Sequence, residues 1–227
     1  MSEPQLESAD RPRVAVVDYG AGNLRSVARA LEACGAEPVV TDRADDLERA
    51  AAVVLPGVGA AGAAMRGLSE RGLVGPLRRA VASGKPFLGV CLGLQVLMTR
   101  SEEDGGVACL GIIRGTVRRL PAGLKVPHMG WNQVQQRTPH RLFAEIPDGA
   151  DFYFVHSYVV VPDDPAVILG TTDYGGSFSS VVGFENVVAT QFHPEKSADE
   201  GLRLYRNFVR WARDVSPSAV VAGRERA

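Results

Sequence analysis

Cys91 stands where an apolar run at 87–90 meets a helical stretch, and the sequence around it reads GVCLG. Small neighbours on both sides allow a nucleophile to occupy a tight strand-to-helix turn without being covered. A helix N-terminus favours the thiolate, because unpaired N–H groups and the helix dipole stabilise negative charge. The pattern therefore predicts an exposed, readily ionised thiol. The alternative is a small buried hydrophobic residue, as free cysteines commonly are.

A histidine and a carboxylate two residues apart supply the other groups that a nucleophilic thiol needs. His193 and Glu195 stand in QFHPEK, and residues two apart in an extended segment point to the same side. A histidine that moves the proton and a carboxylate that orients it would complete a catalytic triad. By itself, such a pair in a loop is usually polar surface. The other histidines lie in a polar loop or lack a nearby carboxylate and are predicted to be structural: His128, His140 and His156.

Length, charge and cysteine content limit the classes to which the chain can belong. Its 227 residues are 45% hydrophobic with a net charge of −1, which suits one large α/β domain. This balance argues against nucleic-acid and membrane-surface proteins, whose binding faces carry excess Lys and Arg. The three cysteines show no CxxC or metal-ligand spacing, so we expect no disulfide, no metal and a reducing, cytoplasmic setting.

A single domain is predicted for residues 13–213. The segment 1–12 is polar and acidic, without the basic and then apolar order of a leader, and 214–227 has no periodic pattern. No apolar run approaches the roughly 18 residues that span a membrane. We therefore expect flexible tails at 1–12 and 214–227.

Buried strands alternate with helices in the first half of the chain. Helical periodicity runs from Leu24 to a glycine cap at Gly35, and again over 73–82. Apolar, β-branched runs of the kind found in parallel sheets surround these helices, at 13–18, 38–41, 51–55 and 87–90. This alternation predicts a central, mostly parallel sheet flanked by helices.

The sequence pattern changes after an acidic loop at 101–106. Short β-branched runs separated by Pro and Gly predict antiparallel or mixed strands added to the sheet, at 110–118, 126–136, 152–161, 167–171, 181–185 and 187–191. A closing helix is predicted after Ser197, which would form a capping box with Glu200. Its apolar positions repeat at helical spacing and belong to the core: Leu204, Tyr205, Phe208 and Trp211.

Two glycine-rich loops follow predicted strands. The sequence PGVG at 56–59 follows the third strand, at the same sheet edge as Cys91. Its glycines would let backbone N–H groups reorient toward an oxyanion, although such loops are more often plain turns. The sequence GAGNLR at 20–25 lacks the third glycine of a dinucleotide fingerprint, so it predicts a strand-to-helix turn rather than a nucleotide site.

Three motifs together carry a family resemblance. GVCLGLQ after an apolar strand, PGVG upstream and QFHPEKS downstream resemble the class I glutamine amidotransferases, whose triad is Cys, His and Glu. Within that class, VVDYGAGNLRSV, VPHMGWN and FYFVHSY resemble the glutaminase subunits of imidazole glycerol phosphate synthase. Val90 and Leu94 replace the more usual Ile and Met, which leaves the chemistry unchanged. The resemblance runs from about Val14 to Phe208 and implies the class I amidotransferase fold.

The resemblance also implies a role for each matched position. Cys91 would be the nucleophile, His193 the acid and base, and Glu195 the group that orients His193. The N–H groups of Val58 and Leu92 would stabilise the oxyanion, with Gly57 and Gly59 shaping the loop. The substrate L-glutamine would be held by Gln95 and by the backbone around His156, Ser157 and Tyr158. No cofactor is implied.

The family passes ammonia to a partner, a separate (β/α)8-barrel cyclase subunit that makes imidazole glycerol phosphate and an aminoimidazole carboxamide ribotide in histidine biosynthesis. This sequence contains no such barrel, so a heterodimer with an ammonia channel is expected. The residues that would line or border the partner face are Asn23, His128, Trp131, Asn132, Tyr153 and Lys196.

Two other classes remain open from the residues alone. A glutaminase that feeds another synthase, of the pyridoxal phosphate or anthranilate type, would share the triad but should lack VPHMGWN and DYGAGN. A non-enzymatic interaction module, or a cysteine peptidase-like relative of the same fold, would require that the His–Glu pair has no functional role.

Overall fold

Five parallel strands form the centre of the structure, a computed structural model that describes residues 11–215. Four are β1 (Arg13–Val17), β2 (Glu37–Thr41), β3 (Ala52–Gly57) and β4 (Phe87–Cys91), in the order β2-β1-β3-β4. The fifth, β13 (Val187–Thr190), pairs in parallel with β4 on its other side. Every residue of β3, β4 and β13 is buried, which explains why these runs are continuously apolar.

Helices cover both faces of this sheet. One apolar cluster joins α1 (Leu24–Ala33) and α6 (Ala198–Asp214) to one face of β1 and β3. A second cluster joins the opposite face to the remaining helices, which are α2 (Ala44–Arg49), α3 (Ala61–Glu70), α4 (Val74–Ala82) and α5 (Leu92–Leu97). Alternate residues of β1 face opposite clusters, as the period of a strand requires. The predicted α/β class with a mostly parallel, helix-flanked sheet is confirmed.

The remaining strands extend the sheet by antiparallel and mixed pairing. They are β5 (Arg100–Ser101), β6 (Val107–Ala108), β7 (Gly115–Arg119), β8 (His128–Gln136), β9 (Ala150–His156), β10 (Tyr158–Pro162), β11 (Ile168–Asp173) and β12 (Ser177–Phe184). Beyond β13 the order continues β12-β10-β7-β5-β6, while β11, β8 and β9 branch from β12. This branch carries β8 and β9 past the carboxyl end of β4, where Cys91 lies close to the Val155 carbonyl.

Several predicted boundaries are wrong for identifiable reasons. The strand predicted at 110–118 begins only at Gly115, because the N–H groups of Leu110 and Ile112 bond to carbonyls at the end of α5. The run at 152–161 is broken at Ser157 into β9 and β10. Helices α2 and α3 were not predicted, since α2 has six residues and α3 is built from alanine and glycine without a wide apolar stripe.

The capping box predicted for α6 is also wrong. The Ser197 side chain makes no cap bond; its hydroxyl donates to the carbonyl of His193 at 2.6 Å and accepts from the N–H of Tyr153 at 3.0 Å. Glu200 lies instead 3.5 Å from the guanidinium of Arg203. Ser197 is the N-cap residue of α6, but its side chain ties the segment of His193 to β9 instead of capping the helix.

The tails expected at 1–12 and 214–227 lie outside the described residues except at 11–12 and 214–215, and Asp214 is the last residue of α6. A search of the described helices finds none whose length and apolar character would let it cross a bilayer.

Close packing of α5 on β3 generates a stability prediction. A Cβ at Gly93 would overlap the carbonyl oxygen of Leu55, whereas Gly75 in α4 has only the tip of an arginine side chain nearby. Gly93→Ala should therefore lower the free energy of unfolding by about 1–3 kcal/mol. Gly75→Ala should leave it unchanged or raise it by about 0.5–1 kcal/mol, because alanine favours the helix. Urea unfolding of both variants checks this; equal effects would contradict the close contact.

Candidate active site

Cys91 is the last residue of β4 and immediately precedes α5, with φ 54° and ψ −105°. A non-glycine residue rarely adopts positive φ, and such strain is characteristic of functional turns. The turn is forced by its neighbours: Gly93 packs on the Leu55 carbonyl, and Gly57 of β3 pairs in register with Cys91. The prediction of an exposed thiol is wrong, because Cys91 is only 6% exposed. The residue instead lines a partly open cavity.

His193 and Glu195 form a buried pair beside this cavity. His193 Nδ1 lies 2.8 Å from Glu195 Oε1, and their side chains are 2% and 1% exposed. Burial lowers the pKa of His193, but hydrogen bonding and charge from Cys91 and Glu195 outweigh it and raise the pKa to about 10. Apart from Cys91, whose proximity raises the pKa, His193 Nε2 has no hydrogen-bond partner among residues 11–215. The imidazole is thus held on one side by a carboxylate and presents its other nitrogen to the thiol, the arrangement that nucleophilic acyl transfer requires.

The cavity has a volume of about 330 Å³, and it brings together most of the predicted substrate residues. It is lined by Val58, Gly59, Cys91, Leu92, Gln95, His156, Ser157, Tyr158 and His193, together with Glu103, Pro127 and Val155. Of the residues predicted to bind substrate or the oxyanion, Gly57 does not line it. Gly57 ends β3 with the Tyr19 hydroxyl against its Cα, so no side chain could replace its hydrogen there.

Two glutamines connect the nucleophile to the far wall of the cavity. Gln95 Nε2 donates to the carbonyl of Tyr158 at 3.1 Å and to Gln191 Oε1 at 3.3 Å. Gln191 Nε2 in turn lies 3.7 Å from Cys91 Sγ. Gln191 was not predicted as a site residue; the available signal was a polar residue directly after a buried strand and before His193. Glu103 was also missed, because its loop appeared merely acidic and solvated.

His128 and His156 make a second polar chain, which starts at the same carbonyl. His156 Nδ1 donates to the Tyr158 carbonyl at 2.9 Å, so its Nε2 must accept from His128 Nδ1, also at 2.9 Å. Asn132 Nδ2 lies 3.3 Å from the remaining His128 nitrogen. Both rings are therefore neutral and fully bonded, and the chain links the cavity wall to strand β8. The structural role predicted for these two histidines agrees with this geometry.

The residues predicted to meet a partner divide into two groups. Trp131 is 55% exposed, stacks edge to face on Tyr153 at 6.1 Å and forms a surface with Lys196, whose Nζ lies 5.9 Å from the Tyr153 ring centre. His128 is buried, stacked between Phe154 and Tyr174, so its placement on the partner face is wrong. Asn132 is half-buried behind the exposed surface, and half-buried Asn23 precedes α1.

A family comparison decides among the open classes. The description "Glutamine amidotransferase class-I" matches residues 15–211. The chain belongs to the class I glutamine amidotransferases. Three similar proteins are each named imidazole glycerol phosphate synthase subunit HisH.

The relative from Dehalococcoides mccartyi is 52% identical over 199 residues, covering 88% of this chain and 97% of the relative. The relative from Chloroflexus aurantiacus is 53% identical over 212 residues, covering 91% of this chain and 100% of the relative. That from Aquifex aeolicus is 51% identical over 201 residues, covering 88% and 97%.

Solved structures agree with the amidotransferase fold. A crystal structure of glutamine amidotransferase superposes with a TM-score of 0.69 at 23% identity, covering 87% of this chain and 98% of that one. The structure of PurLQS from Thermotoga maritima also gives 0.69, at 19% identity, covering 88% and 99%. At these identities the likeness concerns the fold alone.

The neutral histidine chain predicts a pH dependence of stability. Burial lowers the pKa of His156 from 6.5 to about 4; the hydrogen bond to Tyr158 opposes this, and the charges of His128 and His193 add to it. At pH values between about 4 and 6.5, His156 binds a proton in the unfolded chain but not in the folded chain, so protonation favours unfolding. Lowering the pH from 7 to 5 should therefore reduce the free energy of unfolding by about 2 kcal/mol through His156.

Urea unfolding of the wild type and of His156→Gln at both pH values measures this contribution, since effects of other groups cancel in the difference. The stability advantage of the wild type over the variant should shrink at pH 5. A constant advantage would contradict a buried, neutral His156.

Proposed function

We propose that this chain is the glutaminase subunit of an imidazole glycerol phosphate synthase, and that it hydrolyses L-glutamine to glutamate and ammonia. The observation that carries the proposal is that Cys91 and His193 line one pocket, while Glu195 bonds the other ring nitrogen of His193. The high identity to proteins named HisH supports this synthase over the pyridoxal phosphate and anthranilate types.

In the proposed reaction, Cys91 Sγ attacks the side-chain amide carbon of glutamine. Because the pKa of His193 is raised to about 10, its imidazole readily takes the thiol proton as Cys91 attacks. His193 then gives its proton to the amide nitrogen, which leaves as ammonia, and a γ-glutamyl thioester remains on Cys91. Water, deprotonated by the now neutral His193, hydrolyses the thioester and releases glutamate. Glu195 stabilises each imidazolium state without changing its own charge.

The remaining cavity residues fit a small, zwitterionic amide. The N–H groups of Val58 and Leu92 would stabilise the tetrahedral oxyanion, since both residues line the cavity beside Cys91. Gln95 and the backbone of 156–158 would hold the substrate. The Glu103 carboxylate, which accepts from the N–H of Ala61 at 2.7 Å, would attract the α-ammonium group.

A barrel-shaped cyclase subunit is the proposed partner, receiving ammonia to form imidazole glycerol phosphate and an aminoimidazole carboxamide ribotide in histidine biosynthesis. The proposed docking face is the surface of Trp131, Tyr153 and Lys196, extended by Met129, which is 62% exposed. Exposed aromatic and methionine side chains are typical of protein interfaces. Three free cysteines fit a proposed cytoplasmic location.

Replacement of the proposed nucleophile tests the chemistry. Cys91→Ala should abolish glutamine hydrolysis, a loss of several orders of magnitude, while partner binding and the unfolding midpoint stay close to wild type. A glutamine analogue carrying an electrophile should label Cys91 alone. Burial raises the pKa of Cys34, and that of Cys109 to about 11, so both should remain unreactive. Ammonia release by the alanine variant near the wild-type rate would overturn the assignment.

The docking face generates a prediction about activation. The glycines around Val58 permit more than one orientation of the Gly57–Val58 peptide, and losing one oxyanion donor costs about 2.7–4 kcal/mol of transition-state stabilisation. If the partner selects the productive orientation, the free subunit should be a poor glutaminase and the cyclase with its ligand should stimulate it.

Lys196→Ala should then weaken stimulation more than basal hydrolysis, because Lys196 lies on the docking face. Arg79→Ala, which removes an equal charge from exposed helix α4, is the matched control and should preserve stimulation. Steady-state assays of ammonia release, with and without the cyclase and its ligand, measure the stimulation of each variant. Equal rates with and without the cyclase and its ligand would rule out activation through this loop.

A further inference from the structure

Helix α6 packs its face containing Gly201 and Tyr205 against the short turn Pro194–Lys196. These residues are one turn apart, and a Cβ at position 201 would overlap the carbonyl oxygen of Pro194. Side chains of a helix lean toward its N-terminus, so the Tyr205 ring points back toward Gly201 and this turn. Tyr205 is completely buried. Its hydroxyl is therefore fixed in the interior beside the residue that follows Pro194, which is Glu195.

Two buried atoms at this contact lack hydrogen-bond partners among residues 11–215: Tyr205 Oη and Glu195 Oε2. The other carboxylate oxygen, Oε1, is bonded to His193. A buried carboxylate with a single hydrogen bond is poorly compensated, and an unpaired buried hydroxyl is also costly. One is an acceptor and the other a donor, so each can satisfy the other. Burial, and then the charge of Glu195, raises the pKa of Tyr205, which agrees with their proximity.

The competing group near this hydroxyl is Cys34. Its charge also acts on Tyr205, but less than that of Glu195. The Cys34 thiol already donates to the carbonyl of Leu202 at 3.3 Å, which leaves only a weak sulfur acceptor. A carboxylate is the stronger acceptor of the two, so Glu195 is the favoured partner.

We propose that Tyr205 is a positioning residue that donates a hydrogen bond from its hydroxyl to Glu195 Oε2 during catalysis. The inference rests on the proposed triad and adds a fourth member to it. With both carboxylate oxygens bonded, Glu195 cannot rotate away from His193 as the imidazole gains and loses its proton. Water cannot replace the tyrosine, because the Glu195 side chain is 1% exposed. Tyr205 thus acts through Glu195 and His193 without touching glutamine.

A double-mutant cycle tests this role. Ammonia release by the subunit with its cyclase and ligand is measured for wild type, Tyr205→Phe, Glu195→Ala and the double variant. Tyr205→Phe should lower kcat about tenfold, the scale of one charge-assisted hydrogen bond, and leave KM within about twofold. In the Glu195→Ala background the same change should alter kcat by less than about twofold, because no carboxylate remains to be held.

A control variant on the same helix separates the effect of core packing from the effect of the Tyr205 hydroxyl. Phe208→Leu disturbs the same core and should lower the unfolding temperature, but its effect on kcat should be equal in both backgrounds. If Tyr205→Phe aggregates, Tyr205→Met replaces it in the cycle, since methionine fills irregular space without a hydroxyl.

An unchanged kcat in folded Tyr205→Phe, or an equal loss with and without Glu195, would overturn the inference. Failure of the proposed function looks different. In that case the wild type releases no ammonia, or Glu195→Ala retains full activity.

Discussion

The contact between the start of α5 and strand β3 is the constraint on which the rest of the site depends. Gly93 rests so closely on the Leu55 carbonyl that any side chain there would displace α5 from β3, and this close packing accompanies the sharp turn at the end of β4. That turn places Cys91 at positive φ, at the boundary between the apolar core and the cavity. Strain at Cys91 is balanced by continuous apolar burial of β3, β4 and β13.

The buried pair of His193 and Glu195 is positioned by a different set of contacts. His193 and Glu195 lie on a turn between β13 and α6, and Ser197 ties this turn to β9 by accepting from Tyr153 and donating to His193. Because the pair is almost fully buried, the carboxylate acts on the imidazole in a medium that screens charge poorly. The result is a histidine that holds its proton strongly next to a thiol, which suits a step that begins with proton transfer between them.

The cavity and the exposed aromatic surface share strands β8 and β9. Trp131 and Tyr153 pair across these strands on the outside, while His128 and His156 pair across them on the inside. The inner pair ends on the Tyr158 carbonyl, which also accepts from Gln95. A partner that docks on the outer side would therefore contact β8 and β9, and the hydrogen-bonded rings of His128 and His156 connect these strands to the cavity.

Local sequence determined the fold class and singled out Cys91, His193 and Glu195 as candidate site residues. Buried parallel strands are recognisable because both of their faces are apolar. The glycines beside Cys91 are recognisable because a tight turn requires small residues next to it in the sequence. Short helices such as α2, the break at Ser157 and the use of Ser197 could not be predicted, since each depends on bonds to residues distant in sequence. His128 was misplaced for the same reason, because only the stacking of Tyr174 and Phe154 makes it interior. The roles of Gln191 and Tyr205 were decided by tertiary structure alone: whether a polar atom buried among apolar side chains has a partner depends on which strand or helix packs across from it.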